Sequence, residues 1–196
     1  MKKTIYLIGL FLIIQLSSSA QDNKSKINEL GVSISGSTFG IRYKSGNDKT
    51  LLRLTLLSTS GSMNKQKTPS DSKSKSNNFG LGFNVGFEKR KSVSDNFYLY
   101  YGSDLINSFD RNKYENDSPA SVNKHASYSV GLGFILGFHY KINSKINISS
   151  EIIPSIIYSN EKYSNDQNGN ITESSYSGLD YGLNYNSINL TLSFNL

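Results

Sequence analysis

The residues of this 196-residue chain with the most chemistry stand at alternate positions along otherwise apolar segments. They are Arg42, Arg53, Glu88, Arg90, Asp104, His139, Lys141, Glu151 and Asp180. Gathered on one face, such cations and carboxylates either neutralise one another in a salt-bridged plug or line a path for ions. A second candidate is His125-Ala126-Ser127. A His and a Ser two apart on a strand share a face. With a carboxylate they would supply the base and nucleophile of a hydrolase, although only two His are present in the whole chain. A third stretch, Gly80-Leu-Gly-Phe-Asn-Val-Gly86, has the wrong spacing for a dinucleotide fingerprint, and no helical pattern follows it. There is no phosphate loop, no zinc-type spacing and no Gly-x-Ser-x-Gly elbow, so neither a cofactor nor a nucleic-acid partner is expected.

The elements that must hold these residues are strands. The segment Phe79-Gly-Leu-Gly-Phe-Asn-Val-Gly-Phe-Glu-Lys-Arg90 returns as Val130-Gly-Leu-Gly-Phe-Ile-Leu-Gly-Phe-His-Tyr-Lys141. Every second residue is large and apolar, a period of two that belongs to a strand. The other face is mostly Gly and polar groups. Water-facing strands seldom carry that much Gly, because it packs nothing. The pattern makes sense with bulky residues facing lipid and small or charged ones facing a narrow lumen, as in a transmembrane β-barrel. Phe83, Phe87, Leu132, Phe134, Phe138, Ile152 and Leu192 then face lipid. Gly133 points inward, where Ala is expected to be tolerated and Arg to overpack.

Met1-Lys2-Lys3, an apolar run over 5–16 and Ser18-Ser19-Ala20 read as a secretory signal peptide cleaved after Ala20. The apolar run is too short to span a bilayer as a helix. Loss of Lys2 and Lys3 takes the formal charge from +6 to +4. Charged residues are 18% of the chain, below the roughly 25% of soluble domains. The absence of Cys excludes a lipid anchor on an N-terminal Cys, disulfides and thiolate metal sites. The organisation read from the chain is a signal peptide at 1–20, a polar leader at 21–28 and one barrel domain at 29–196.

Alternation begins at Leu30 and switches parity at Gly36-Ser37, a hairpin that pairs Ile34 with Phe39 and Leu30 with Tyr43. A turn at Gly46-Asn47-Asp48-Lys49 then places Leu52 opposite Tyr43 and Arg42 opposite Arg53. Residues 58–78, 107–126 and 159–175 are polar and aperiodic, and read as three long extracellular loops. Pro154 cannot donate to a ladder and calls for a bulge or kink. A second parity switch at Asn186-Ser187 would make nine strands if it were a hairpin. Read as a one-residue bulge it leaves eight, the even number such barrels require, with both termini in the periplasm. The fold class is an all-β, antiparallel, up-and-down transmembrane barrel of eight strands, with ten as the alternative.

With the Gly-Leu-Gly-Phe strands, the Ala20-Gln21 junction and the closing Leu190-Thr-Leu-Ser-Phe-Asn-Leu196, residues 29–196 resemble the small outer-membrane β-barrel proteins of the Bacteroidota. The chain departs from that pattern in ending on Leu196 rather than an aromatic residue. The resemblance implies an outer-membrane location and insertion by the barrel-assembly machinery, and no particular substrate. The partners expected are outer-membrane lipid and lipopolysaccharide, and the protein is expected to be a monomer. Lys65, Lys67, Lys73 and Lys75, set against Asp71, could lie on lipopolysaccharide phosphates, and Tyr114 and Tyr163 could make adhesive contacts. Three functions remain open: a structural, surface-interaction or minor transport barrel; a lipid A-modifying hydrolase using His125 and Ser127; and a soluble periplasmic barrel with an apolar ligand. Eight strands leave a lumen barely wide enough for side chains, which favours the plug over the channel.

Overall fold

A computed structural model describes residues 26–36, 38–57, 60–67, 73–117, 120–183 and 187–196. The signal peptide, Asp71, Ser37 and Asn186 lie outside the described residues. Eleven strands form one antiparallel sheet. They are β1 (Ile27–Ser35), β2 (Thr38–Gly46), β3 (Thr50–Leu57), β4 (Ser60–Lys67), β5 (Lys73–Ser92), β6 (Phe97–Asp117), β7 (Ala120–Lys141), β8 (Ile146–Ile152), β9 (Ser155–Gln167), β10 (Asn170–Gly182) and β11 (Ile188–Asn195).

Eight of them close a ring in the order β1-β2-β3-β5-β6-β7-β8-β11, with β11 returning to β1. Closure pairs the backbone groups that an open edge would leave bare, the condition for crossing lipid with strands. The strands β1 and β2 are nine residues each, close to the roughly 9–11 that a tilted strand needs to span a bilayer. Their side chains set the pattern for the ring: Leu30, Val32, Ile34, Phe39 and Ile41 are exposed, while Glu29, Ser33, Arg42 and Lys44 are buried. All seven residues read as lipid-facing project outward, Leu132 at 53% exposure. This is the reverse of a soluble ligand-binding barrel, which buries its apolar side.

Above the short β1–β2 hairpin the other six strand positions keep going. The strands β4, β5, β6, β7, β9 and β10 form an open sheet, in that order, continuous with the barrel wall. The β6–β7 ladder runs unbroken from Phe97↔Tyr140 to Asp117↔Ala120. The segments read as irregular loops are therefore mostly paired strands. Their sequence hides this because outside lipid neither face needs to be apolar, so hydropathy loses its period while the backbone stays extended. The missing β1 and β2 positions leave a notch between the free edges of β4 and β10, about 14 Å wide at three strand spacings.

Three departures from regularity join the lower ring to the upper sheet. Between Leu56↔Phe83 and Ser60↔Gly80, three residues face two. Leu56 pairs on the outward parity of β5 and Ser60 on the inward one, so β4 runs one step out of phase with β3. Between Gly182↔Ser155 and Ile188↔Ile152, five residues face two. β10 and β11 do not pair with each other, so no hairpin joins them, and the bulge expected at Asn186-Ser187 rests on Asn186, which lies outside the described residues. Pro154 sits opposite that segment with its carbonyl turned to β7, where it accepts from Phe134 N at 2.8 Å, so the N–H it lacks is missing from the β7 ladder. The strands β8 and β9 keep one register against β7 across Pro154.

The turn after β2 corrects a register. Tyr43 pairs with Leu54 and Lys44 with Arg53, while Arg42 faces Thr55, a slip of two residues from the expected pairing. Asn47 Oδ1 accepts from Lys49 N and Thr50 N at 3.0 and 2.8 Å, and this Asx turn closes the loop more tightly than four free turn residues would. A slip of two preserves every face. Gly133 is also more confined than expected. A Cβ there would lie 2.6 Å from Ile153 Cγ2 and 3.1 Å from Ile106 Cδ1.

In urea-dependent folding into lipid vesicles, Leu132→Arg is expected to cost roughly 2–4 kcal/mol near the bilayer midplane, and Leu132→Phe almost nothing. Gly133→Ala should cost about 1–3 kcal/mol through overpacking against β-branched Ile153. A Gly133→Ala variant as stable as the parent would show that the interior relaxes around that position.

Candidate functional site

The lumen is filled by an ion-pair network with Arg53 at its centre. Arg53 donates through Nη1 and Nη2 to both oxygens of Glu151, at 3.0 and 2.8 Å. Its Nη1 also meets Glu88 Oε2 at 3.2 Å. Its Nε faces Asp104 Oδ1 at 3.2 Å, without the alignment of a hydrogen bond. Glu151 is shared with Arg42 at 2.6 Å and accepts from Tyr100 Oη at 2.9 Å. Glu88 is shared with Lys44 at 2.8 Å and Arg90 at 2.7 Å. Arg90 in turn holds both oxygens of Glu29, at 2.6 and 2.9 Å. Arg42 completes its shell with the hydroxyls of Thr55 and Thr191, at 3.0 and 3.1 Å.

Arg42, Lys44, Arg53 and Arg90 carry four positive charges, and Glu29, Glu88, Asp104 and Glu151 carry four negative ones. The network is therefore neutral. Arg53 is 1% and Glu88 0% exposed. A buried charge is tolerable when it is paired and its remaining donors are met, and the bidentate Arg–carboxylate pairs do both. Tyr100, Ile135 and Ile153 make a small apolar cluster in the same lumen. The ring of Tyr100 fills the space beside Gly137, where a Cβ would come within 2.5 Å of Cζ. These side chains fill the lumen with mutually paired charges. Beneath them, at the end bearing the termini, a basin of about 510 Å³ is walled by Lys26, Lys49, Lys91 and Lys141, with Tyr98 beside them.

Of the residues read as a lumen cluster, the structure brings together Arg42, Arg53, Glu88, Arg90, Asp104 and Glu151. His139 is buried beside Tyr98, with ring centroids 5.9 Å apart. Neither ring nitrogen of His139 has a hydrogen-bond partner among the described residues. Lys141 stands at the rim, donating to Tyr98 Oη at 2.9 Å. Asp180 is a correction: it is exposed on β10, opposite Ile157, above the ring. Its parity is inward, but at its height the wall has opened and there is no lumen to enter. Three members of the network were not anticipated. Lys44 and Glu29 lie two residues from Arg42 and Gly31 on the inward parity, and Glu29 stands just before Leu30, where the alternation is first read. Tyr100 shares the inward parity of Asp104, and its hydroxyl rather than its ring ties it to the network.

A second grouping lies on the upper sheet. Following the ladders upward, Phe79, Phe109 and Tyr128 end the apolar belt on the outer face. Above them the same face carries Arg111, Lys162, Lys113 and Lys124, then Lys65, Lys75, Lys67 and Lys73. The acids among them are Glu115, Asp117, Asp166 and Glu173, and Lys113 pairs with Glu115. The inner face, continuous with the lumen, carries no Lys or Arg among the described residues. There the His125 ring stacks on Tyr163 at 4.4 Å and 19°, and Tyr163 meets Tyr176 edge-on at 5.8 Å. Tyr163 Oη donates to Glu161 Oε2 at 2.5 Å, and His125 Nε2 lies 3.4 Å from the same oxygen. The Tyr163 hydrogen bond draws the Glu161 carboxyl below its usual range and pushes the Tyr163 phenol up. Ser127 is the cross-strand partner of Glu161. His125, Ser127 and Glu161 thus share a face, but no bond joins Ser127 to His125.

Comparison with solved structures bears on the fold. A major outer membrane protein from Thermus thermophilus matches with a TM-score of 0.51 at 12% identity, covering 88% of this chain and 100% of that one. Acinetobacter baumannii CarO and CarO2 align over 87% and 89% of this chain and 96% and 99% of theirs, at 12% identity, with TM-scores of 0.31 and 0.34. No family model and no curated protein matches the chain. The fold is that of outer-membrane β-barrels, reached here by a chain whose ring and buried charges stand on its own residues.

Removing one carboxylate tests the network. Glu151→Gln deprives Arg42 and Arg53 of their shared anion and is expected to cost about 3–5 kcal/mol in vesicle folding, the cost of uncompensated buried charge. Asp180→Asn should stay within about 0.5 kcal/mol of the parent. Equal, small effects at both positions would remove the network from the stability of the barrel.

Proposed function

We propose that this chain is a small outer-membrane barrel, of the kind found in Bacteroidota, with a structural or surface-interaction role. The observation that carries the reading is the sorting of side chains along one continuous wall. A neutral plug closes the lumen, an apolar belt surrounds it, and a cationic collar begins immediately above the outer aromatic row. That level is where the lipid A phosphates of an outer leaflet lie, and each Lys or Arg near an anionic lipid surface contributes about 1 kcal/mol. The fold match to an outer-membrane protein supports the location. The N-terminal signal peptide and insertion by the barrel-assembly machinery belong to the same reading, as does a monomeric state. A plug of mutually paired charges argues against ion transport.

The hydrolase reading has one observation in its favour: Glu161 stands beside His125 and opposite Ser127. Against it, the His125 ring is stacked on Tyr163, and the face turns away from lipid. The strand amides are also paired in the ladder, which leaves none for an oxyanion.

The membrane reading expects the protein to sediment with outer membranes, to migrate differently with and without heating, and to co-purify with lipopolysaccharide. Replacing Arg111, Lys113, Lys124 and Lys162 together with Ala should weaken that association by up to about 4 kcal/mol, while the same change at Lys49 and Lys91 should not. Recovery of the mature chain in the soluble periplasm would sink the reading. For the alternative, mass spectra of lipid A from cells producing the parent or Ser127→Ala decide. Identical spectra, matching cells without the protein, are the expected result; an acyl chain lost only with the parent would establish the hydrolase.

A further inference from the structure

The inner face of the upper sheet has no part in the plug or in the lipid collar. Its three highest aromatic residues, Tyr114, Tyr163 and Tyr176, are 43%, 39% and 64% exposed. They are side chains that ordinarily find cover, and Tyr163 is fixed on both sides. The stacked His125 ring supports one face and the hydrogen bond to Glu161 orients the hydroxyl. Holding a ring in place before a ligand arrives lowers the ordering cost of binding. Around these rings the same face carries Asn112, Asn123, Asn165, Ser127, Ser174 and Thr172. Among the described residues its titratable groups besides His125 and the tyrosines are the carboxylates Asp110, Glu161 and Asp180.

That composition selects a class of ligand. The Lys and Arg residues described on the upper sheet are all on the opposite face, so a phosphate, a uronate or a nucleic acid would meet only carboxylates here. The side chains described around these rings are hydroxyls, amides and carboxylates, which offer a hydrophobic side chain little to lie on. A sugar ring presents a face of C–H bonds that lies on an aromatic ring. It also presents a rim of hydroxyls that donate to carboxylates and exchange hydrogen bonds with amides and Ser or Thr. The notch above β1–β2 and the open top leave the face reachable from outside, while lipopolysaccharide lies against the outer face.

We propose that the lumen-continuous face of the upper sheet, centred on Tyr163 and Tyr176, binds a neutral oligosaccharide taken from the surroundings of the cell. Only the outward orientation of the sheet rests on the membrane reading. Protease applied to intact cells tests that orientation separately: cleavage at Lys67 or Lys73, the facing ends of β4 and β5, places the sheet outside, and cleavage confined to the turn at 142–145 reverses it.

Binding itself is measured on the full mature barrel purified in detergent, where location has no influence. The chain has 13 Tyr and no Trp, so tyrosine emission reports on these rings and calorimetry gives the affinity. The probes are maltohexaose, cellohexaose, xylohexaose and mannohexaose at millimolar concentration. Hexagalacturonate serves as the anionic counterpart, and the polysaccharide released from lipopolysaccharide by mild acid as the alternative source. At least one neutral hexasaccharide is expected to bind more tightly than hexagalacturonate. Tyr163→Ala and Tyr176→Ala should each weaken it about tenfold, and Tyr128→Ala on the outer face should not. All three variants should keep heat-modifiable migration, which separates lost binding from lost folding. No binding by any neutral hexasaccharide overturns the proposal, as does stronger binding of hexagalacturonate or unchanged affinity in both inner-face variants. Binding of the lipopolysaccharide polysaccharide alone overturns the external source.

Discussion

Everything in the lower barrel depends on the cancellation of charge around Arg53. Eight strands leave a lumen that side chains must fill, and this chain fills it with four cations and four carboxylates. Each is far from water, so each is stable only through the others. Arg53 touches three of the four carboxylates. Glu88 touches three of the cations and Glu151 two. Those contacts join β2, β3, β5, β6 and β8 across the lumen, while backbone pairing joins the same strands around the wall. Lipid-facing side chains cannot supply this coupling. Lipid is as apolar as they are, so burying Leu or Phe against it favours insertion without favouring one strand arrangement over another.

Side-chain alternation is the rule that connects plug, belt and collar. Within lipid it separates apolar from charged. Above lipid it continues without a hydropathy signal and keeps the described Lys and Arg residues on the outer face and Tyr114, Tyr163 and Tyr176 on the inner one. The change of phase between Leu56 and Ser60 and the offset between Gly182 and Ile188 lie near this transition. There the wall passes from eight strands to six, and both free edges of the upper sheet begin at these irregularities. β4 keeps β5 and β10 keeps β9 as its one neighbour, so each ends the sheet as an edge strand.

How much of this was legible follows from where lipid acts on the sequence. In the ring the apolar period gave the strands, the outward face, the first hairpin register and the count of eight. The turn at 46–50 escaped because a two-residue slip leaves every face unchanged, so only the Asn47 side chain decides it. The upper sheet escaped for the opposite reason: with polar residues on both sides there is no hydropathy to alternate, and pairing is templated by strands already running below. Asp180 was assigned to the lumen by correct parity and wrong height. Glu161 was invisible beside His125 because the ladder that brings them together, β7 with β9, pairs distant positions through polar segments.

The repeated Gly-Leu-Gly-Phe phrase acquires a physical reason from the same constraint. In the second copy a Cβ at Gly133 would press on Ile153 and Ile106, and one at Gly137 on Tyr100 and the Ser150 carbonyl. In the first copy a Cβ at Gly82 would press on Leu57, and one at Gly86 on Asp104 and the Ser103 carbonyl. These glycines are therefore not empty places on a strand. Each leaves space that a large side chain from another strand occupies, and two of those side chains, Tyr100 and Asp104, belong to or adjoin the ion-pair network. A narrow lumen that must hold four Lys or Arg side chains has to find volume somewhere. It finds it by removing side chains from the inward positions of β5 and β7, while their outward positions keep the Leu and Phe that lipid requires.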